Sequence, residues 1–166
     1  MANVDIRAAI GSAVFFVLAP GMTAGLVPFL ITRWDVPDEY PTWAVVLGLL
    51  WTLAGAALVV TCFVRFVTEG RGTPAPVAPT EELVVGGVYR YVRNPMYVGV
   101  GSAIAGQVVA FGSLSLAAWL ALFMLAVWSF VHWYEEPTLT SQFGESYERY
   151  RTAVPGWWPR LTPWRG

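Results

Sequence analysis

NPMYVGVGSAIAGQVVAFGSLSLAAWLALFMLAVWSFVHWY, residues 94–134, is a run of 41 positions without a single Asp, Glu, Lys or Arg. A helix crosses a bilayer core with about 20 apolar residues, so this run has the length of two spans. Phe111-Gly112-Ser113 at its middle is a turn signal that folds one span back on the other. Two further charge-free runs precede it, residues 8–32 and 40–64, of 25 positions each. Every charge lies outside these three runs: ten arginines and eleven Asp plus Glu, with no lysine. Charged residues make up 13% of the 166-residue chain and apolar ones 56%, with nine tryptophans. An ordinary soluble domain is about 25% charged. These figures exclude disorder and predict an all-α, polytopic integral membrane protein with four transmembrane helices.

The first span is predicted from about Ile6 to Ile31, with a kink at Pro20-Gly21 and Pro28 near its end. Asp5 and Arg7 precede it and the apolar run continues to Thr32, which favours a retained span over a cleaved leader. The second runs from about Trp43 to Val67, and its Gly48, Gly55, Ala56 and Ala57 suit close helix packing. Residues 1–68 thus hold two N-terminal spans. Residues 69–166 hold the rest, beginning with a Pro- and Gly-rich loop, EGRGTPAPVAPT at 69–80. The third span starts at Pro95, and the fourth runs from Leu114 to Tyr134, where it meets Glu135-Glu136. The single Cys62 can form no internal disulfide.

Four spans put the N-terminus, the middle loop and the C-terminus on one side, with nine of the ten arginines. Arg33 stands alone on the other side, beside Asp35, Asp38 and Glu39. The positive-inside rule then makes both termini cytoplasmic, and the bacterial inner membrane is the expected location. A net charge of −1 argues against nucleic-acid binding. In the tail, Phe143, Tyr147, Tyr150 and Val154 recur at steps of 4, 3 and 4, the face of a cytoplasmic amphipathic helix. Trp157, Trp158 and Trp164 among the last arginines read as an interfacial anchor.

Chemistry concentrates in two clusters at the cytoplasmic boundary. One is Tyr89, Arg90, Tyr91, Arg93, Asn94 and Tyr97; the other is His132, Glu135 and Glu136. The start of the third span lies beside the end of an antiparallel fourth span, so the hairpin brings the clusters together. Each has a plain alternative. Arginines set topology, tyrosines form aromatic belts, His132 snorkels, and Gln107 bonds a neighbouring helix. An acidic pair at a helix C-terminus opposes the helix dipole, which favours a bound partner there.

The combination of GGVYRYVRNPMYVG, then EEP 36 residues later, then FGESYERYRTAVP, resembles the isoprenylcysteine carboxyl methyltransferase-like family, within the membrane phospholipid methyltransferases. The resemblance covers residues 81–159. It implies an S-adenosylmethionine-dependent methyltransferase acting on a lipophilic small molecule or lipid-attached acceptor at the cytoplasmic face. The family's cofactor contacts fall on Glu82, Leu83, Val84, Tyr89, Asn94, Pro95, Met96, Tyr97 and Glu135, with Glu136 beside the last. His132 is the candidate on the substrate side. No residue is assigned as the catalytic group, and one Cys with one His makes no metal site.

Two departures from the family pattern matter. Where much of the family has His, this chain has Asn94, which does not titrate and so is no general base. Where the eukaryotic enzymes place a substrate arginine, this chain has Val131, with His132 about 100° further round the helix. Two other readings stand beside the enzyme: a membrane scaffold that kept the fold, and an NADPH-dependent reductase, for which 166 residues leave little room. Methyl transfer suits so sparse a set of side chains, because the cofactor carries the reactive group and the protein chiefly aligns donor and acceptor.

Overall fold

The computed structural model describes residues 17–69 and 83–166. The first half of the predicted first span, most of the Pro-rich loop and Glu82 lie outside the described residues. Among the described residues every regular element is helical. The chain divides into two compact units. One runs from the start of the described chain to Val60 and continues over Met96–Val127. The other holds the described parts of Thr61–Pro95 together with Trp128–Gly166.

Where the sequence predicts a kink, the backbone runs as a π-helix over Val17–Leu26 and continues as α1, Val27–Thr32. The reason lies at Pro28, the first-turn proline of α1. It has no N–H to give the carbonyl four residues back, Ala24, nor the one five back, Thr23. Both carbonyls are served from elsewhere in this unit. Gln107 Nε2 donates to Ala24 O at 2.7 Å, and Trp119 Nε1 donates to Thr23 O at 3.0 Å. Gln107 is a helix-to-helix tie, as read from the sequence. Gln107→Leu leaves a partly buried carbonyl unpaired and should destabilise the fold by about 1–3 kcal/mol, seen as a lower unfolding temperature in detergent. An unchanged temperature would mean that Ala24 O has another donor.

The second helix, α2, spans Thr42–Glu69, and the third, α3, spans Pro95–Phe111. Within the first unit they meet backbone to backbone. A Cβ at Gly55 would stand 2.5 Å from Ala103 N, and one at Gly106 would stand 2.5 Å from Thr52 N and from Thr52 Oγ1. Thr52 Oγ1 donates across the seam to Ala103 O at 3.2 Å. Small residues are what permit such an approach. Ala56 and Ala57, predicted to share this role, face outward instead. The predicted reversal is present: α3 stops at Phe111, and Gly112 has φ +58°, a left-handed conformation that glycine adopts without strain. Tyr40 covers the turn and donates to Val109 O at 2.8 Å. Ser113 then caps α4, Leu114–Phe130, accepting the Leu116 N–H at 3.3 Å.

Among the described residues two stretches are long and apolar enough to cross a membrane, Thr42–Arg65 with 24 residues and Leu114–Phe143 with 30. Leu18–Thr32 and Pro95–Phe111 are apolar but shorter. Leu50, Leu53, Leu122 and Leu125 point outward, as do many other large apolar side chains; exposed apolar surface on this scale marks contact with lipid or protein.

The second unit corrects the expected end of the fourth span. The helix does not stop at Tyr134. It widens into a π-turn, Val131–Glu135, and continues as α5, Glu136–Phe143. Glu136 N–H reaches back five residues to Val131 O. Pro137 follows immediately, with no N–H and a ring that crowds the preceding turn, and the wider π-turn makes room for it. The acidic pair is therefore no helix C-terminus. Glu136 opens a new helix, where a carboxylate is favoured by the dipole.

Gly144 (φ 53°, ψ −128°), in a region reserved for glycine, joins α5 to α6, Glu145–Ala153. Tyr147, Tyr150 and Val154 are buried as one cluster, with Leu83, Phe143 and Trp164 packed against it. The tail beyond α6 clasps the turn that precedes α3. Arg93 N donates to Pro155 O, Asn94 N to Gly156 O, Arg160 N to Tyr91 O and Trp164 N to Arg90 O, all between 2.9 and 3.1 Å. Trp164, predicted as part of an interfacial anchor, instead packs inward, 5.3 Å from the Tyr150 ring. Trp158 remains exposed.

Candidate functional site

The second unit brings the two predicted clusters together through Arg93. Its guanidinium donates to Glu136 Oε1 at 2.6 Å, to Tyr147 Oη at 3.1 Å and, through Nε, to Val154 O at 2.8 Å. Both side chains of the ion pair are largely buried, at 13% and 16% exposure. Arg151 lies 3.5 Å from the other oxygen of Glu136. A topology signal would need none of these partners. Arg93 is a structural tie between the aromatic-arginine turn and the acidic pair, and sequence reasoning missed it. Glu136, expected as a cofactor contact, has both oxygens committed to arginines.

Asn94 sits one residue on, buried at 8% exposure. Its Nδ2 has no hydrogen-bond partner among the described residues. Buried amides are nearly always paired, so an orphan donor calls for an explanation. Gly156 lies alongside: a Cβ there would stand 3.4 Å from Nδ2 and 3.3 Å from Arg93 Nη2. Glycine at 156 keeps the space beside the amide open. An acceptor oxygen or nitrogen of a ligand would satisfy the orphan.

A 3₁₀ turn over Gly87–Arg90 carries Tyr89, which is buried. Tyr150 Oη donates to Tyr89 O at 2.7 Å. Burial pushes the Tyr89 phenol well up, and the neighbouring Cys62, then Tyr150 and Glu135, act in the same direction. Burial also raises Tyr147; Arg93 opposes this, and Glu136 and Glu135 add to it. The Glu135 carboxylate is thus within electrostatic reach of both phenols. Glu135 itself is half-buried at the end of the π-turn.

The remaining predicted residues divide. Val84 is buried and Leu83 packs on the tail cluster. Pro95 is fully buried at the start of α3, and Met96 and Tyr97 follow it, half-buried, in the first turn. His132 is exposed and stacks on Trp128, centroids 5.3 Å apart and planes within 8°. The geometry gives His132 aromatic neighbours and no place beside Arg93.

The model of the phospholipid methyltransferase family matches residues 43–146, more than half of the chain. The chain belongs to the phospholipid methyltransferase family. A Protein-S-isoprenylcysteine O-methyltransferase from Schizosaccharomyces pombe is 40% identical over 82 residues, which is 48% of this chain and 34% of that protein. The chain therefore spans about a third of the length of that curated relative. The resemblance read from residues 81–159 agrees with both matches. For this family the group to be tested is a methyl donor, and the described residues fit S-adenosylmethionine. An orphan amide donor suits a carboxylate or ring-nitrogen acceptor, and the Glu135 carboxylate of the same unit suits an ammonium or hydroxyl donor.

Proposed function

We propose that this member of the phospholipid methyltransferase family transfers a methyl group from S-adenosylmethionine to a lipophilic small molecule or lipid-attached acceptor. In this reading it does so at the cytoplasmic face of a bacterial inner membrane, from four spans with both termini cytoplasmic. The observation that carries the proposal is the Arg93–Glu136 pair, which ties the buried orphan amide of Asn94 and the carboxylate of Glu135 into one unit.

When bound, the cofactor supplies an electrophilic methyl group on a sulfonium. The chain's own residues bind and orient. Asn94 Nδ2 donates to an acceptor atom of the cofactor. Glu135 accepts from its ammonium or hydroxyl groups, a charge-assisted bond about twice as strong as a neutral one. Leu83, Val84 and Pro95 shape the wall through backbone and apolar contacts. Burial holds Tyr89 and Tyr147 protonated, so neither phenol competes with the acceptor as a nucleophile. Glu136 acts through Arg93 as a positioning residue rather than as a direct contact. His132, on the exposed face, stands toward the lipid-borne acceptor. Alignment of this kind can lower a barrier by about 7–11 kcal/mol.

Calorimetry with S-adenosylhomocysteine tests the reading. Binding is expected to the parent protein, and Glu135→Gln should weaken it by about ten- to a hundredfold, the worth of a charged hydrogen bond. No binding by well-folded parent protein would sink the enzyme reading and leave the scaffold that Asn94 and Val131 suggest. Parent-like binding by Glu135→Gln would remove Glu135 from the site.

A further inference from the structure

The glycine at 156 is not called for by its own backbone. Its φ lies outside the left-handed region that Gly87, Gly112 and Gly144 occupy. Nor is it forced by a close approach like that at Gly106. Beyond its chain neighbours, a Cβ at 156 would meet nothing nearer than 3.3 Å, so a methyl group fits with a small shift of the atoms around it. What glycine supplies is space. Two nitrogens stand around that space, Arg93 Nη2 at 3.3 Å and Asn94 Nδ2 at 3.4 Å from the Cβ position. Asn94 Nδ2 is the buried orphan donor. Arg93 commits Nε to Val154 O and Nη1 to Glu136 and Tyr147, and its Nη2 donates to no described residue. Two N–H₂ groups without an acceptor therefore face one gap.

Their chemistry selects what fits between them. Both nitrogens are donors only, and one belongs to a cation. A purine edge offers an acceptor beside an N–H₂ donor, which would set donor against donor here. A carboxylate offers two acceptor oxygens and a negative charge, and its bond to a guanidinium is charge-assisted. Glu136 does not fill this role, because its oxygens lie toward Arg93 Nη1 and toward Arg151. Resting on the methyl-transfer reading, we propose that Arg93 Nη2 and Asn94 Nδ2 receive the amino-acid carboxylate of the methyl donor across the gap that Gly156 leaves. Arg93 and Gly156 then join the donor site beyond the contacts that the resemblance implies, and the C-terminal tail supplies one of them. The same unit offers Glu135 to the ammonium group, so both charges of the ligand's zwitterion meet their opposites on the chain.

The test is calorimetry on the full chain in detergent with S-adenosylhomocysteine and with its decarboxylated analogue, which keeps the nucleoside and the ammonium group. The parent is expected to bind S-adenosylhomocysteine at least about tenfold more tightly than the analogue. Gly156→Ala fills the gap. It should weaken S-adenosylhomocysteine by about tenfold, leave the analogue within about twofold and unfold near the parent's temperature. Asn94→Asp sets carboxylate against carboxylate and should erase or reverse the parent's preference. Equal affinities of the two ligands for the parent overturn the proposal. So does a Gly156→Ala protein that binds S-adenosylhomocysteine as the parent does, or one that loses both ligands alike, which marks a general distortion of the pocket. Should Gly156→Ala not fold, Asn94→Asp decides, and an unchanged ratio of the two affinities is the contrary result. These outcomes leave methyl-donor binding standing. Binding of neither ligand by folded parent protein removes that reading and this assignment with it.

Discussion

Arg93→Ala should cost roughly 3 kcal/mol of stability, the low end for a broken buried pair, because it leaves the largely buried carboxylate of Glu136 with the half-exposed Arg151 as its remaining cation. It also removes the donors to Val154 O and Tyr147 Oη. The loss should reach function, since Asn94 is the next residue and its backbone N–H is held by the same tail. Donor binding is therefore expected to disappear along with stability. Arg93→Lys keeps the charge but has no planar fork to reach three acceptors, so it should recover only part of both. Thermal unfolding in detergent, read beside S-adenosylhomocysteine calorimetry, checks this. A double-mutant cycle with Glu136→Gln isolates the pair. An Arg93→Ala protein that melts with the parent would show that the ion pair contributes nothing.

Gly106→Ala should be at least as damaging for one methyl group. The new Cβ meets Thr52 N at 2.5 Å and Gly48 O at 2.6 Å. These are backbone atoms of α2 and cannot swing aside. Overpacking of a core usually costs about 1–3 kcal/mol and occasionally more; here the helices themselves must separate, so about 3 kcal/mol or more is expected. Gly101→Ala is the control. Its Cβ would meet the flexible end of Met124 at 2.9 Å, and its cost should be far smaller. The yield of folded, monodisperse protein after extraction distinguishes them. Equal yields would mean that the α2–α3 seam is looser than its geometry.

Charge-free runs are a reliable guide to where helices lie, since a buried or lipid-facing helix excludes charge over its whole length. The helix predicted at 43–67 runs over Thr42–Glu69, and the reversal falls at Gly112 as read. Spacing likewise identified the buried face of Tyr147, Tyr150 and Val154. Hydrophobic periodicity does not register a change from α to π winding, so both π segments escaped it. Pro28 and Pro137 were the available signals, each marking a carbonyl the helix could not serve. Arg93 was misread for a different reason: its partners, Glu136 and Val154, are 43 and 61 residues away in sequence. The tail clasp is made by backbone groups, which every residue carries, so WWPRLTPW held no sign of it.

That clasp has a consequence for biosynthesis. Translation proceeds at about 5–20 residues per second, so Arg93 emerges several seconds before the carbonyls at 154 and 155 that will hold it. During that interval the growing chain has α3 and no latch. The clasp thus closes only once synthesis reaches Trp164, and on the proposed reading a nascent chain short of that residue would not yet hold a methyl donor.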